Sequence, residues 1–394
     1  MSNDLKEKIA LIADKMTEYS LYVVAFFIPI SIGMVESFVC FVLLGFIIKK
    51  IILPDFSFIK SRIHFFLLIF LIFCSLSLLN SGIDINKSLN ALFFKWGQYI
   101  LIFFIVQDTL VSKKRIRNTV GILLFVGCLV AFDGVSQRFI GWEFFRGKHI
   151  GVINESLKAI TGPFKHYNSF AAYLVCILTL FISAIFAKKR EGKAIYWVIS
   201  FLLFLLAGCL FLTFSRGAWV GFWFACLLML LLSRKWKLIL PLLCFFMLAL
   251  VLAPGIRERV MGGDSGRFNV WNGAYGMIKD HPLLGMGIGT FMSNFSKYTM
   301  GLGVQYAHNC YLQIWAETGI FALLSFFGFV IAILSLGIKN FIKTHDYIAL
   351  GLSCAIFGFL VHSFFDNHLY SLQLAVLFWF LAGMLIASNK KKEI

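Results

Sequence analysis

The sequence predicts an all-α integral membrane protein with about twelve transmembrane helices. Of its 394 residues, 60% are hydrophobic and only 14% are charged, and phenylalanine occurs 46 times. The mean hydropathy of +0.87 lies outside the range of water-soluble domains of this length. Apolar runs of about 17–25 residues recur along the chain, and each is long enough to cross a hydrocarbon layer roughly 30 Å thick as a helix. We therefore expect one polytopic membrane domain, residues 1–394.

The predicted spans leave one wide gap, residues 254–306, between the ninth and the tenth. A loop of this length usually has a function and some structure of its own, so we expect a helical outer segment there. The twelve spans are predicted at residues 18–34, 36–53, 63–80, 90–108, 118–138, 167–187, 195–213, 217–233, 237–253, 309–337, 347–365 and 370–388.

Clusters of lysine and arginine recur in alternate loops, which predicts how the chain is oriented. Short loops rich in these residues stay on the cytoplasmic side of a membrane. This rule places both termini in the cytoplasm and the segments 139–166 and 254–306 outside. The same bias, with attraction to anionic lipid headgroups, accounts for much of the net charge of +17. The cytoplasmic basic clusters lie at 49–62, 113–117, 188–193, 234–237 and 390–392.

Both outer segments also carry basic residues, which work against the insertion rule. Cations on outward loops suggest an anionic ligand on that face, such as a phosphorylated lipid or glycolipid. We therefore expect membrane lipids as partners and no nucleic acid. The residues are Arg146, Lys148, Lys158 and Lys165 in the first segment, and Arg257, Arg259, Arg267, Lys279 and Lys297 in the second.

The second outer segment is predicted to contain an amphipathic helix that lies on the membrane surface or covers a cavity. Its apolar stripe would be formed by four residues at helical spacing, and Pro282 would end it. The four residues are Phe268, Trp271, Tyr275 and Ile278.

Arg267 is the most informative residue of this helix. In "GGDSGRFNVW", Asp264 or Ser265 is a candidate helix cap, which places Arg267 in the first turn. A cation is unfavourable beside the positive end of the helix dipole unless an anion completes the site. A solvated loop arginine is the alternative.

The stretch "QYAHNCYLQIWAETG" leads into the tenth span. His308 lies at the outer end of that helix, where a neutral imidazole could accept a proton; an interfacial anchor is the alternative. Glu317 lies deeper in the same helix. We predict that Gln313 and Thr318 hold it and that its role is structural rather than catalytic.

The apolar run 195–233 is too long for one span, and the basic clusters at both of its ends belong inside. The chain is therefore predicted to turn outside near "TFSRGA", with Arg216 at the outer tip. Snorkelling to the headgroups is the simplest role for this arginine. Gly217 and Ala218 are expected to allow a tight bend and the close approach of a partner.

Other polar residues at the outer boundary have roles that the sequence leaves open. In "ITGPFKHYNSFAAYL", the Gly-Pro dipeptide predicts a turn, and Asn168 or Ser169 a helix cap. In "HSFFDNHLY", His362, Asp366 and His368 form either a hydrogen-bonded structural cluster or part of a site. The candidates for substrate binding are Lys165, His166, Asn168, Asn309 and Asp366.

Four stretches together resemble the O-antigen ligase and polymerase superfamily of bacterial membrane glycosyltransferases. They are "TGPFKHYNSFAAYL", "TFSRGAWVG", "SGRFNVWNGAYGMIKDHPLLGMGIGTF" and "AHNCYLQIWAETGI". The resemblance implies a GT-C-like helical fold in the bacterial inner membrane, with its site on the periplasmic face. It also implies that a glycan carried on undecaprenyl pyrophosphate is transferred to an acceptor hydroxyl.

The resemblance further implies roles for three residues. Arg216 and Arg267 would bind the pyrophosphate, and His308 would take the proton of the acceptor hydroxyl, with inversion at the sugar carbon. Arginines alone can stabilise the leaving group, so neither a metal nor a cofactor is expected. Where relatives often have an arginine ahead of the Gly-Pro turn, this chain has Lys158 and Ala159.

Several activities share these motifs. We favour an O-antigen ligase with lipid A core as acceptor, because the outer segment is compact and the sequence stops soon after the twelfth span. Polymerisation of repeat units and transfer to protein hydroxyls are the alternatives within the superfamily. A transporter or lipid flippase is the alternative from another class, although no clear internal repeat is found.

Overall fold

The computed structural model describes residues 2–56, 62–152, 158–187, 193–244, 266–299 and 306–389. Within these ranges the protein is helical apart from one short antiparallel pair of strands, β1 (Gly151–Val152) and β2 (Lys158–Ala159). The helices are α1 (Asn3–Phe27), α2 (Ile32–Ile52), α3 (Arg62–Leu76), α4 (Ile85–Asn90), α5 (Gln98–Thr109), α6 (Lys113–Ile140), α7 (Tyr167–Ala187), α8 (Lys193–Leu212), α9 (Arg216–Leu232), α10 (Arg267–Asp280), α11 (Phe291–Phe295), α12 (Cys310–Thr344), α13 (Tyr347–His362) and α14 (Leu372–Ser388).

The described helices are those of a multi-pass membrane protein. Six helical stretches are long and apolar enough to cross a membrane, and four shorter apolar helices accompany them. The predicted span 237–253 lies largely outside the described residues, so the total of twelve stays a prediction. The six stretches are Ile32–Ile52, Ile63–Asn80, Gly82–Thr109, Lys113–Ile140, Tyr167–Ala187 and Cys310–Thr344. The shorter ones are Trp197–Leu212, Arg216–Leu232, Tyr347–His362 and Leu372–Ser388.

Two helices form the centre of the bundle. Nearly every residue of α14 and most of α7 are buried, which suits helices that are apolar on all sides. α14 contacts α5, α6, α7, α12 and α13, and α13 packs in turn on α7 and α9. By contrast, α2 and α3 leave most of their surface exposed, as expected of peripheral helices that face lipid.

A charged network joins the helices at one end of the bundle. Asp14 binds Lys49 at 2.7 Å and Arg115 at 2.6 Å, and Asp108 binds Lys49 at 3.1 Å and Lys50 at 2.9 Å. Three of the basic residues predicted to mark the cytoplasmic side, Lys49, Lys50 and Arg115, are thus paired with carboxylates on neighbouring helices. Because Arg115 lies in the first turn of α6, the other end of that helix leads to the opposite face of the bundle.

α12 is not continuous, because its backbone breaks at Gly319 (φ 82°, ψ 174°). The preceding loop fills the break with backbone hydrogen bonds: the amides of Met286 and Gly287 donate to the carbonyls of Ala316 and Glu317, both at 2.9 Å. The amide of Ile320 donates to the carbonyl of Pro282 at 3.0 Å. The two sequence stretches "HPLLGMGIGTF" and "HNCYLQIWAETG" are therefore locked together as one backbone unit.

Replacing Gly319 with alanine should strongly destabilise this unit. The φ and ψ of Gly319 lie in a region open essentially to glycine alone, which costs another residue about 1–3 kcal/mol. In addition, an added Cβ would overlap the backbone of Leu283. We expect a clear fall in the thermal unfolding midpoint in detergent. Gly208→Ala is the control, since this glycine in α8 has open space at its Cβ position; equal midpoints for the two variants would contradict the interpretation.

Candidate functional site

The predicted site residues lie in the loops at the end of α6 that is remote from the charged network. Three loops meet there: the turn before α7, the turn between α8 and α9, and the turn between α13 and α14. The segment that enters α12 lies among them. The Gly-Pro turn is present, and the amides of Thr161 and Gly162 both donate to Oε1 of Gln137 at the end of α6.

His308 and Asp366 form the centre of the site. His308 Nδ1 lies 3.2 Å from Oδ1 of Asp366, and the side-chain nitrogen Nδ2 of Asn168 donates to Oδ2 of the same carboxylate at 2.6 Å. Burial raises the energy of the ionised carboxyl group, but the hydrogen bond to His308 and the nearby imidazoles lower the pKa of Asp366 below its ordinary value. Three of the residues predicted from the sequence, far apart along the chain, are thus in direct contact.

The orientation of the His308 ring suits a base. A proton on Nδ1 facing the carboxylate leaves Nε2 as an acceptor, as in hydrolases with a carboxylate behind a histidine. The His308 side chain is 40% exposed, so it is open to a substrate. Its backbone φ of 50° is in the left-handed region, a costly conformation that is concentrated at functional sites.

Asn367 fixes the histidine loop to the carboxylate loop. Its Oδ1 accepts a hydrogen bond from the backbone amide of Asn309 at 2.9 Å, and its Nδ2 donates to Oε1 of Gln313 at 2.5 Å. The amide of Cys310 also donates to the carbonyl of Ser363 at 2.9 Å. These contacts set the position of His308 relative to Asp366.

His166 and Arg267 lie at the same site. The amide of Asn168 donates to His166 Nδ1 at 3.3 Å. Partial desolvation lowers the pKa of His166, the charge of Asp366 opposes this shift, and the charges of His308 and Arg267 add to it. Arg267 also lowers the pKa of His368. Its positive charge therefore acts on the histidine cluster, which consists of His166, His308, His362 and His368.

Arg216 begins α9 beside this cluster. The residue before it, Ser215, has its hydroxyl 3.3 Å from Nε2 of His362. The residue after it, Gly217, packs so closely on His362 and Phe365 that a Cβ would clash with both. The predicted turn and close approach are present, but Gly217 is helical; the bend is made by Phe214, whose φ is 51°.

His362 and His368 are fully packed against each other, with their ring centroids 4.1 Å apart. Burial lowers the pKa of His368 to about 4, with the charge of Asp366 acting in the opposite direction. At neutral pH this buried imidazole is therefore uncharged.

The depressed pKa of His368 predicts a loss of stability in mild acid. Between its unfolded pKa of about 6.5 and its folded value of about 4, only the unfolded chain takes up the proton, so stability falls as pH falls through this window. We expect the unfolding midpoint in detergent to decline from pH 6.5 to 4, and less steeply in His368→Gln. His345→Gln removes an exposed histidine after α12 as a control; identical slopes in wild type and His368→Gln would refute this assignment.

The helix predicted in the second outer segment is α10, which has Arg267 in its first turn and ends before Pro282, as expected. Gly266 occupies the cap position, with φ 78°, and the candidate caps Asp264 and Ser265 lie outside the described residues. Of the predicted apolar stripe, Ile278 is buried in the protein, whereas Phe268 and Tyr275 are exposed. The buried face is shifted around the helix and packs near Phe291 and Phe295; it consists of Val270, Gly273, Ala274, Met277 and Ile278.

Some predicted binding residues have other tasks. Asn309 caps α12, since its Oδ1 accepts from the amides of Tyr311 and Leu312 at 2.9 and 3.1 Å. Neither Asn168 nor Ser169 caps α7, which begins at Tyr167. Lys165 is exposed at the edge of the site.

Two basic residues of the first outer segment bind the protein itself. Arg146 Nε donates to the carbonyl of Ile30 at 2.7 Å, and Lys148 Nζ donates to the carbonyl of Phe164 at 2.9 Å. These two cations, which were expected to attract an anionic ligand, therefore also hold the loop in place. Arg257 and Arg259 lie outside the described residues.

Glu317 is buried and has several hydrogen-bond donors. Its carboxylate accepts from the amides of Gly289 and Phe291, at 3.0 and 3.2 Å, and from Gln313 Nε2 at 3.1 Å. The hydroxyl of Tyr370 donates to it at 3.2 Å. The expected contact with Gln313 is present, but the Thr318 hydroxyl donates to the carbonyl of Ile314 instead.

A cavity of about 170 Å³ lies beside these residues. Its wall includes the π-helical turn Ala91–Gly97, and π-helical turns are frequent at functional sites. Neither the cavity nor the residues Lys95 and Tyr306 that line it were predicted. The cavity is formed by Ala91, Lys95, Trp96, Tyr99, Gly289, Phe291, Met292, Tyr306, Gln313, Glu317, Leu369 and Tyr370.

This fold and this site define a multi-pass helical membrane protein with a histidine–carboxylate pair and cations at one end of the bundle. Residues 201–327 match the protein family described as O-antigen ligase, and this confirms the resemblance to the O-antigen ligase superfamily. Its members are membrane glycosyltransferase-like enzymes, ligases and polymerases. The matched segment contains Arg216, Arg267 and His308, whereas Asn168 and Asp366 lie outside it. No curated protein matches the sequence.

Proposed function

We propose that the protein is an O-antigen ligase that transfers a glycan from undecaprenyl pyrophosphate to a sugar hydroxyl of lipid A core on the periplasmic face of the inner membrane. The observation that carries the proposal is the His308–Asp366 pair, with its accessible ring nitrogen, beside two arginines of the family segment. Glycan transfer from a diphosphate needs a base to take the proton of the acceptor hydroxyl and cations to stabilise the leaving pyrophosphate, and this site has both kinds of group.

The proposed step is a single inverting displacement. Nε2 of His308 takes the proton of the acceptor hydroxyl as its oxygen attacks the anomeric carbon. The bond from that carbon to the pyrophosphate oxygen breaks, and the electron pair leaves with the pyrophosphate. Arg216 and Arg267 stabilise the charge that grows there, and Asp366 orients the imidazole and stabilises its protonated form.

Asn168 and His166 support the same centre. Asn168 holds the second oxygen of Asp366, so it fixes the carboxylate that orients the base. The pKa of His166 is lowered by partial desolvation, and both His166 and Lys165 are exposed beside this centre. We propose substrate contacts for these two residues.

Polymerisation of lipid-linked repeat units is the second candidate, because the donor chemistry is the same and the family includes both activities. The family assignment argues against a transporter. In the part of the chain that the structure describes, the histidine cluster also lies in loops at one end of the bundle and not along a path through it.

The test uses purified protein in nanodiscs with EDTA, an undecaprenyl-pyrophosphate-linked glycan as donor and lipid A core as acceptor. A ligase converts lipid A core to a larger glycolipid that is visible by gel and mass spectrometry. A polymerase lengthens the lipid-linked glycan and leaves lipid A core unchanged. If neither product forms with protein that unfolds cooperatively, the proposed function is wrong.

A further inference from the structure

We propose that the cavity beside Glu317 binds the acceptor sugar, the ring whose hydroxyl is attacked. This inference rests on the proposed function and adds a substrate subsite to it. The cavity is lined by aromatic rings together with Lys95, and two of the segments that form it, those around Tyr306 and Tyr370, also carry the catalytic pair.

The aromatic wall is continuous. The rings of Trp96 and Tyr370 meet edge to face at 5.7 Å, and those of Tyr370 and Tyr306 lie 6.4 Å apart. A pyranose ring has apolar C–H faces and a polar rim of hydroxyls. Its faces pack well on flat aromatic rings, and its rim can meet the polar edges of tyrosine and tryptophan.

Polar groups face the same space. Glu317 and Gln313 belong to the cavity lining but are already hydrogen-bonded within the protein, whereas Lys95 supplies an ammonium group with three donors. Lys95 is exposed and makes no hydrogen bond or ion pair with another described residue. An ionisable residue within a candidate span usually faces a wet cavity and has a function there.

The position relative to His308 points to the acceptor rather than the donor. Tyr306 is two residues from His308. The turn between α13 and α14 begins at His362, passes through Asp366 and ends at Tyr370 in the cavity wall. His362 contacts Ser215, the residue before Arg216. Along this turn, Asp366 is thus flanked on one side by a residue that contacts the start of α9 and on the other by a residue of the cavity wall. In an inverting displacement the acceptor and the leaving group occupy opposite faces of the reacting sugar.

Kinetics on the full-length enzyme in nanodiscs test the subsite. In Tyr306→Ala and Lys95→Gln, the KM for the acceptor should rise about tenfold, while the KM for the donor changes less than about twofold. Tyr275→Ala and Lys279→Gln are matched controls on the exposed face of α10 and should behave as wild type. A rise in the donor KM instead, or acceptor KM values equal to those of the controls, would overturn the proposal.

A direct binding measurement tests the subsite independently of the proposed function, because it needs no transfer activity. Saturation-transfer NMR is recorded with oligosaccharide released from lipid A core and, separately, with oligosaccharide released from the lipid-linked repeat unit. A signal from either one that is lost in Tyr306→Ala supports the subsite, and the oligosaccharide that binds identifies the acceptor class even if no transfer is detected. The absence of a Tyr306-dependent signal from both would refute the subsite.

Discussion

His308→Ala should reduce kcat for glycan transfer by about 10²–10⁴-fold, the contribution of a positioned general base. Nε2 of this histidine is free to take the proton because Nδ1 faces Asp366. His308→Gln keeps a polar side chain of similar length that cannot serve as the base, so it should lose nearly as much activity. The measurement is single-turnover transfer from lipid-linked donor to lipid A core.

Asp366→Asn provides the internal comparison. It keeps the shape of the side chain but removes the charge that orients the ring and stabilises its protonated form, so its kcat should fall between those of wild type and His308→Ala. All variants should keep cooperative unfolding transitions. Retention of more than about a tenth of wild-type kcat by both His308 variants would exclude this histidine as the base.

Arg267→Ala should lower kcat by about 10²–10³-fold, the size of effect seen when one group that stabilises a developing anion is removed. Arg267 lies in the first turn of α10, and its charge acts on His166 and His368. Since the pyrophosphate becomes more negative as the bond breaks, the loss should appear in kcat as well as in the donor KM.

Two substitutions sharpen this test. Arg267→Lys keeps the charge without the two-pronged geometry and should recover only part of the activity. Lys279→Ala removes a cation from the last turn of the same helix and should leave transfer unchanged. If Lys279→Ala and Arg267→Ala reduce transfer equally, the effect comes from general surface charge and not from a bound pyrophosphate.

The sequence predicted the helical membrane class because that class depends on local patterns, and local patterns also marked Arg216, Arg267 and His308 as candidates. Long apolar runs identify membrane spans without any tertiary information. Arg216 and His308 stand at the ends of such runs and Arg267 at the start of a predicted helix, so their charge or polarity is conspicuous.

The remaining parts of the site depend on contacts that no single stretch encodes. Asp366 meets Asn168 across 198 residues and His308 across 58 residues. Either partner alone is an ordinary polar residue at a helix end. The cavity was missed for the same reason, since its wall combines residues near 95, 306 and 370.

The face of α10 that packs on the protein and the break at Gly319 were not predicted, for another reason. Helical spacing finds an apolar stripe but cannot say whether lipid or protein will cover it, so Phe268 and Tyr275 were assigned together with buried Ile278. A glycine in an apolar run is also common in intact membrane helices, and only the loop that bonds to the backbone on both sides of Gly319 distinguishes this one.

The break in α12 also affects how the helix can fit bilayers of different thickness. As one rod, the 35 residues of α12 would measure about 52 Å, well beyond a hydrocarbon layer of roughly 30 Å. The part after Gly319 measures only about 37 Å and can meet bilayers of different thickness by tilting. The part of α12 before Gly319 is hydrogen-bonded to the loop at residues 282–287, so we expect that loop, and not the length of α12, to set the position of His308 relative to the membrane.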